Sequence, residues 1–158
     1  MRQRVSILLA LTLVGIGCTS GKPALSVSAS SPKPAAVETG SSLADLRNGK
    51  TLYFTGRDLA GRKMTAQGQP LFNRCVDCHR ADGSGGRHFP DGAISADLRP
   101  AALIAHQRHP YTMALLQRAI ATGIDNEGHP LDPVMPRWRL TARDLRDVAQ
   151  YVLNGVNK

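Results

Sequence analysis

Apolar residues recur at helical spacing in two segments near the end of the chain. Met113, Leu116 and Ile120 follow one another at intervals of three and four residues, which predicts a helix over residues 111–121 that Gly123 ends. A second helix is predicted to begin at Thr141, which opens a capping-box-like Thr-Ala-Arg-Asp, and to end at Asn154-Gly155. Its apolar stripe consists of Leu145, Val148, Ala149 and Val152. Both segments predict helical structure.

The helical spacing of apolar residues is weaker before residue 110. Ser42-Leu43-Ala44-Asp45 has the form of a helix start, but Gly49 limits the length of any helix there. Residues 48–67 have no clean periodicity, so we predict that residues 43–67 form an N-terminal extension that packs loosely on the domain. Residues 68–75 look like a short helix. Residues 81–110 are rich in glycine and proline and should be mainly loop.

The first 42 residues read as an export signal followed by a tether. Residues 1–17 combine a basic start with a short apolar run, as a secretory signal peptide does. Gly15-Ile16-Gly17-Cys18 resembles a bacterial lipoprotein cleavage site, which makes Cys18 the predicted lipidation site, although Gly15 stands where such sites usually have Leu. Ordinary cleavage with an incidental Cys18 is the alternative. Residues 18–42 are Ser-, Ala- and Pro-rich and predict a flexible linker of roughly 25–30 Å. The expected location is periplasmic, anchored to the inner or outer membrane.

The strong positive charge does not indicate nucleic-acid binding. The formal net charge of the 158 residues is +8, but the basic residues are scattered singly, without a Lys/Arg-rich run or interleaved aromatic residues. A solvated basic surface is the plain interpretation. If the charge has a function, it steers the protein towards an acidic redox partner or an anionic membrane surface.

Cys75-Val76-Asp77-Cys78-His79 has the spacing of a c-type haem attachment site. Two residues between the cysteines let both sulfurs reach one porphyrin edge, and the adjacent His79 can direct a ring nitrogen at the iron. A thioredoxin-type redox pair, half of a zinc site or a structural disulfide would share the Cys-x-x-Cys spacing. A zinc site needs further soft ligands, and Cys18 is the only other cysteine. We therefore predict one covalent haem c on Cys75 and Cys78.

From about Gly68 onwards the chain resembles a class I c-type cytochrome. The resemblance rests on the haem motif, on residues ahead of it and on residues after it: Gly68, Phe72, Val134-Met135-Pro136, Thr141 and Tyr151. It implies an all-α fold over residues 68–158, with three main helices around one covalently attached haem. It also implies that the first and last helices cross at Gly68 with Phe72 and Tyr151 nearby, and that His79 and Met135 are the axial iron ligands.

The chemistry of Met135 agrees with that assignment. A thioether is a neutral, soft ligand that favours Fe(II), and Pro133 and Pro136 fix the backbone around it. A core methionine is the alternative, which we predict for Met113, while Met64 should belong to the extension. The remaining histidines are rival ligands: His88, His106, His109 and His129. Trp138 could pack on the haem rim, and Arg137 and Arg139 could meet a haem propionate or stay exposed.

These features predict a single-electron carrier rather than an enzyme, because His79 and Met135 together leave no open iron position. An alternative is a haem subunit or sensor that binds a diatomic ligand or peroxide once Met135 leaves. Another is the electron-accepting subunit of a periplasmic dehydrogenase. The donor and acceptor proteins do not follow from the sequence.

Overall fold

A computed structural model describes residues 43–156, and the predicted signal peptide, Cys18 and the linker lie outside these residues. The described elements are α1 (Leu46–Thr55), β1 (Thr65–Ala66), α2 (Val76–His79), a π-helical turn (Ala101–Ala105), α3 (Met113–Thr122), β2 (Trp138–Arg139) and α4 (Ala142–Leu153). β1 and β2 pair antiparallel, with Thr65 opposite Arg139 and Ala66 opposite Trp138. Within residues 43–156, no helix is both long and apolar enough to cross a membrane.

The helices predicted from periodicity are confirmed as α3 and α4. The side chain of Thr112 caps α3 by accepting from the Leu115 amide, and Gly123 ends the helix in the left-handed region at φ 69°. Thr141 caps α4 by accepting from the Asp144 amide. Val148, Ala149 and Val152 of the predicted stripe are buried in α4, and Leu145 is half-buried.

The prediction of a loosely packed extension is wrong for residues 46–55, which form α1 and pack on α4. Asp45 caps the helix, and Leu52 and Tyr53 are almost completely buried. Gly49 lies at the crossing of the two helices, because a Cβ there would be 2.7 Å from the Cβ of Tyr151. The Tyr53 and Tyr151 rings meet edge to face with centroids 5.8 Å apart. Gly49 therefore has the position that was predicted for Gly68.

Residues 68–75 do not form the predicted helix. Gly68 has φ 73° and nothing within 4 Å of the position a Cβ would occupy, so it serves a turn rather than a helix crossing. Phe72 does not take the predicted place near the helix crossing, where Tyr53 is the ring that meets Tyr151. The Phe72 ring instead meets Phe89 at a centroid distance of 6.4 Å and lies 4.4 Å below the guanidinium of Arg87.

A buried polar network fastens α1 to α4. The amide of Asn48 donates to Asp144 and Asp147, both at 2.9 Å, and its carbonyl oxygen accepts from the Leu59 amide at 2.9 Å. Asp147 also accepts from the Asp45 amide at 3.0 Å and has no exposed side-chain surface. Because each buried polar group here has partners, the network fixes how the two helices meet.

Candidate functional site

A cavity of about 450 Å³ lies between the two hydrophobic clusters of the core. All three long helices line it, through Tyr53 of α1, Leu116 of α3 and Val148 of α4 among others. The cavity also brings together the four residues that the sequence predicted for haem: Cys75, Cys78, His79 and Met135. These residues come from two segments of the chain, the one around α2 and the loop between α3 and β2.

The short helix α2 holds the two cysteines. Cys75 accepts from the amides of Cys78 at 3.2 Å and His79 at 2.9 Å, so residues 75–79 form a single tight turn. Residues three apart on such a turn share a face, which directs Cys75 and Cys78 to the cavity. Arg80 leaves the helix at φ 64°, and its carbonyl accepts from the Tyr53 hydroxyl at 2.7 Å.

The thiols differ from those of a redox-active pair. Cys75 and Cys78 are both free. Burial raises the pKa of the Cys75 thiol to about 12. It also raises the pKa of Cys78, although the nearby charge of Arg87 acts in the opposite direction. A thioredoxin-type pair needs a lowered thiol pKa, so this alternative does not match the site.

His79 is held with one ring nitrogen free for a ligand bond. Its Nδ1 lies 2.8 Å from the carbonyl oxygen of Ala96, and since a carbonyl only accepts, Nδ1 carries the proton. Nε2 is then the unprotonated nitrogen. Burial lowers the pKa of His79, which favours the neutral imidazole that binds metal. A metal-bound histidine usually donates its other N–H to a carbonyl or carboxylate in this way.

Two methionines line the cavity. Met135 lies in the loop before β2 and packs against the cluster that contains Trp138 and Val148. Met64 was predicted to belong to a loose extension, but it is buried in that same cluster and also lines the cavity. No sequence signal marked Met64, because it lies outside any periodic segment. Met113 packs against the other cluster and does not line the cavity, in agreement with its predicted core role.

None of the four other histidines lines the cavity, and all four lie within residues 43–156. His109 and His129 are largely exposed and near Glu127, with Nδ1 to carboxylate distances of 3.6 and 3.9 Å. Among the described residues, no group of three or more His, Cys, Asp or Glu side chains could hold a metal ion. The zinc alternative therefore lacks the additional ligands it would need.

The residues after Met135 have three different environments. Trp138 is buried and lines the cavity, a position from which it could pack on the haem rim. Arg139 is exposed in β2. Arg137 turns back to the loop instead of outwards, and its guanidinium donates to the backbone carbonyls of Leu131, Asp132 and Met135.

The residues that line the cavity fit a haem that the two cysteines attach at one edge and that His79 binds through the iron. The cavity wall is mostly apolar, as a large flat hydrophobe requires, and the buried neutral imidazole of His79 has one nitrogen free. Cys75 and Cys78 add two thiols to the cavity that His79 lines. The fit depends on this donor set and on the apolar wall together.

The fold and the site define a c-type cytochrome, and a family comparison agrees. The family model described as "Cytochrome c" matches residues 65–155, more than half of the chain. The chain belongs to the cytochrome c family. It has the class I cytochrome c fold and carries covalently bound haem c, and its cytochrome c domain indicates haem-based electron transfer.

No curated protein matches the chain. Among solved structures, the chain is similar to oxidized SHP, an oxygen binding cytochrome c. The sequence identity is 18%, the match covers 69% of this chain and 80% of that chain, and the TM-score is 0.40.

Proposed function

We propose that this protein is a membrane-tethered periplasmic carrier of single electrons, with His79 and Met135 as the axial ligands of its haem iron. The observation that carries the proposal is that the two side chains, from separate segments, line the same cavity as Cys75 and Cys78. When bound, the haem supplies the Fe(III)/Fe(II) couple, whose potential is raised by a thioether ligand.

The residues of the chain would then have separable tasks. The carbonyl of Ala96 fixes the tautomer and ring orientation of His79. The apolar side chains of α3 and α4 keep water from the site. If His79 and Met135 both held the iron, no coordination position would remain for a substrate, which favours a carrier over an enzyme.

The charge of the chain supports a protein partner of opposite sign. Beyond the predicted signal peptide, eighteen basic and twelve acidic residues remain, a net of +6. Net charge of this size speeds the approach of an acidic redox protein and makes the rate depend on ionic strength. An acidic surface on a redox partner would benefit from this charge, as would an anionic membrane surface.

Replacing Met135 with Leu tests the ligand assignment. The ferric wild-type protein should show the weak far-red absorption band of a methionine sulfur bound to iron(III). Met135→Leu should abolish that band and let carbon monoxide bind readily to the reduced protein, because Leu fills similar space but cannot coordinate. The measurements are ferric absorption spectra and carbon monoxide titration.

Met64→Leu is the matched control, since Met64 lines the same cavity. It should keep the band. Loss of the band in Met64→Leu with its survival in Met135→Leu would give the ligand role to Met64. A wild-type protein that lacks the band and binds carbon monoxide would instead favour a ligand-binding cytochrome.

The membrane anchor is tested at Cys18, which lies outside the described residues. If Cys18 carries the lipid, Cys18→Ser should move the protein from the membrane fraction to the soluble periplasmic fraction. The neighbouring Ser20→Ala should leave it in the membrane fraction. Immunoblots of the fractions report the distribution, and membrane retention of Cys18→Ser would contradict lipidation as the anchor.

A further inference from the structure

The guanidinium of Arg137 spans the loop that carries Met135. Its Nη2 donates to the Leu131 carbonyl at 2.7 Å, and its Nη1 donates to the Asp132 carbonyl at 2.9 Å and also to the Met135 carbonyl. The three acceptors are two to six residues from Arg137 along the chain. One side chain thus links the start of the loop to the candidate ligand at its end.

Gly123 at the end of α3 makes room for this side chain. A Cβ at residue 123 would lie 2.6 Å from Nη2 of Arg137 and closer still to its Nε. The carbonyl of Gly123 also accepts from the Leu131 amide at 2.7 Å, which closes the loop where it leaves the helix. Arg137 therefore lies between the end of α3 and the loop rather than on an open surface.

The other hydrogen bonds recorded within this part of the loop are short-range. Asp132 accepts from the Val134 amide at 2.8 Å through its side chain and from the Met135 amide at 3.1 Å through its carbonyl. These bonds lie within the turn, and the bond from the Leu131 amide to Gly123 attaches only its first residue to α3. The planar fork of an arginine can serve several carbonyls at once, whereas a lysine offers a single point of attachment.

We propose that Arg137 is a positioning residue that holds the loop of residues 131–135 closed. It thereby sets how readily the Met135 sulfur gives way to an external ligand of the iron. This inference rests on the proposed His79–Met135 ligation. It assigns Arg137 to the loop carbonyls and not to a haem propionate.

Imidazole titration of the ferric holoprotein tests the proposal, because imidazole binds only after Met135 has left the iron. Arg137→Met should bind imidazole about tenfold more tightly than the wild type, since three charge-assisted hydrogen bonds no longer resist opening. Arg137→Lys should fall between them. Arg139→Met removes the same charge from an exposed position two residues away and should stay within about twofold of the wild type.

Denaturant midpoints separate loop positioning from a general structural role. Without imidazole, Arg137→Met should unfold at lower denaturant concentration than the wild type. In saturating imidazole the loop is open in both proteins, so their midpoints should coincide. Equal losses with and without imidazole would overturn the proposal, as would unchanged imidazole affinity in Arg137→Met or an equal gain in Arg139→Met.

The Met135 ligation and the role of Arg137 are tested by different results. A wild-type protein without the far-red band would overturn the Met135 ligation and the role of Arg137 together. A wild-type protein with the band, beside an Arg137→Met variant of unchanged imidazole affinity, would overturn the role of Arg137 alone.

Discussion

Replacing Gly49 with Ala should destabilise the holoprotein by about 3 kcal/mol, although alanine is the better helix former. The added Cβ would lie 2.7 Å from the Asp147 carbonyl carbon and from Tyr151 Cβ, and closer still to the Asp147 oxygen. Cβ atoms essentially never approach atoms beyond their own residue and its chain neighbours more closely than 3.0 Å. Because the opposing atoms belong to or adjoin the backbone of α4, no rotamer change relieves the contact. The helices must move apart.

That separation would also disturb the polar network beside it. Asn48 donates to Asp144 and Asp147 at 2.9 Å, and these bonds lengthen if α1 withdraws from α4. Asp147 is fully buried, so its carboxylate would lose partners without gaining water. Buried polar groups left without partners cost about 1–3 kcal/mol each. The steric and polar penalties therefore act in the same direction.

Denaturant unfolding of the ferric holoprotein measures the effect against two controls. Lys50→Ala changes the next, exposed residue of α1 and should alter stability by less than about 0.5 kcal/mol. Gly68→Ala adds a Cβ in open space but at φ 73°, and should cost about 1–2 kcal/mol. A larger loss at Gly68 than at Gly49 would return the helix crossing to Gly68.

The sequence correctly predicted the elements whose signals lie within a few consecutive residues. α3 and α4 have caps and apolar stripes within their own residues, and Cys75-Val76-Asp77-Cys78-His79 is contiguous. Met135 could be singled out from its flanking prolines and its place before the last helix, and it lines the cavity with the motif.

The wrong predictions concern residues whose roles depend on partners far away in the sequence. Gly49 was read as the end of a helix because nothing local shows that α4 occupies the space of its missing side chain. Asn48 and Asp147 are polar in the pattern, yet both are buried because they bond to each other. Residues 65–66 pair with residues 138–139, and this contact between distant segments forms a strand where the sequence showed no periodicity.

Replacing both Cys75 and Cys78 with Ala should remove covalent haem altogether. The hydrogen bonds of the turn run from the amides of residues 78 and 79 to the carbonyl of residue 75, so the substitutions remove none of the groups that form the turn. What they remove is the pair of sulfurs on one face of α2. Haem staining of a denaturing gel should be lost, while Cys18→Ser should stain like the wild type. Staining of the double variant at the wild-type level would contradict the attachment site.

Without the haem, the variant should also fail to fold. A largely apolar cavity of about 450 Å³ leaves the side chains that line it without packing partners, and empty apolar cavities destabilise a fold in proportion to their volume. Helices α1, α3 and α4 all line that cavity, and their packing depends on what fills it. Far-ultraviolet circular dichroism should show most of the helical signal lost in the double variant. The signal should be kept in Met135→Leu, in which Cys75 and Cys78 still attach the haem. Native helix content in the double variant would show that the protein part of the core is sufficient to hold the fold.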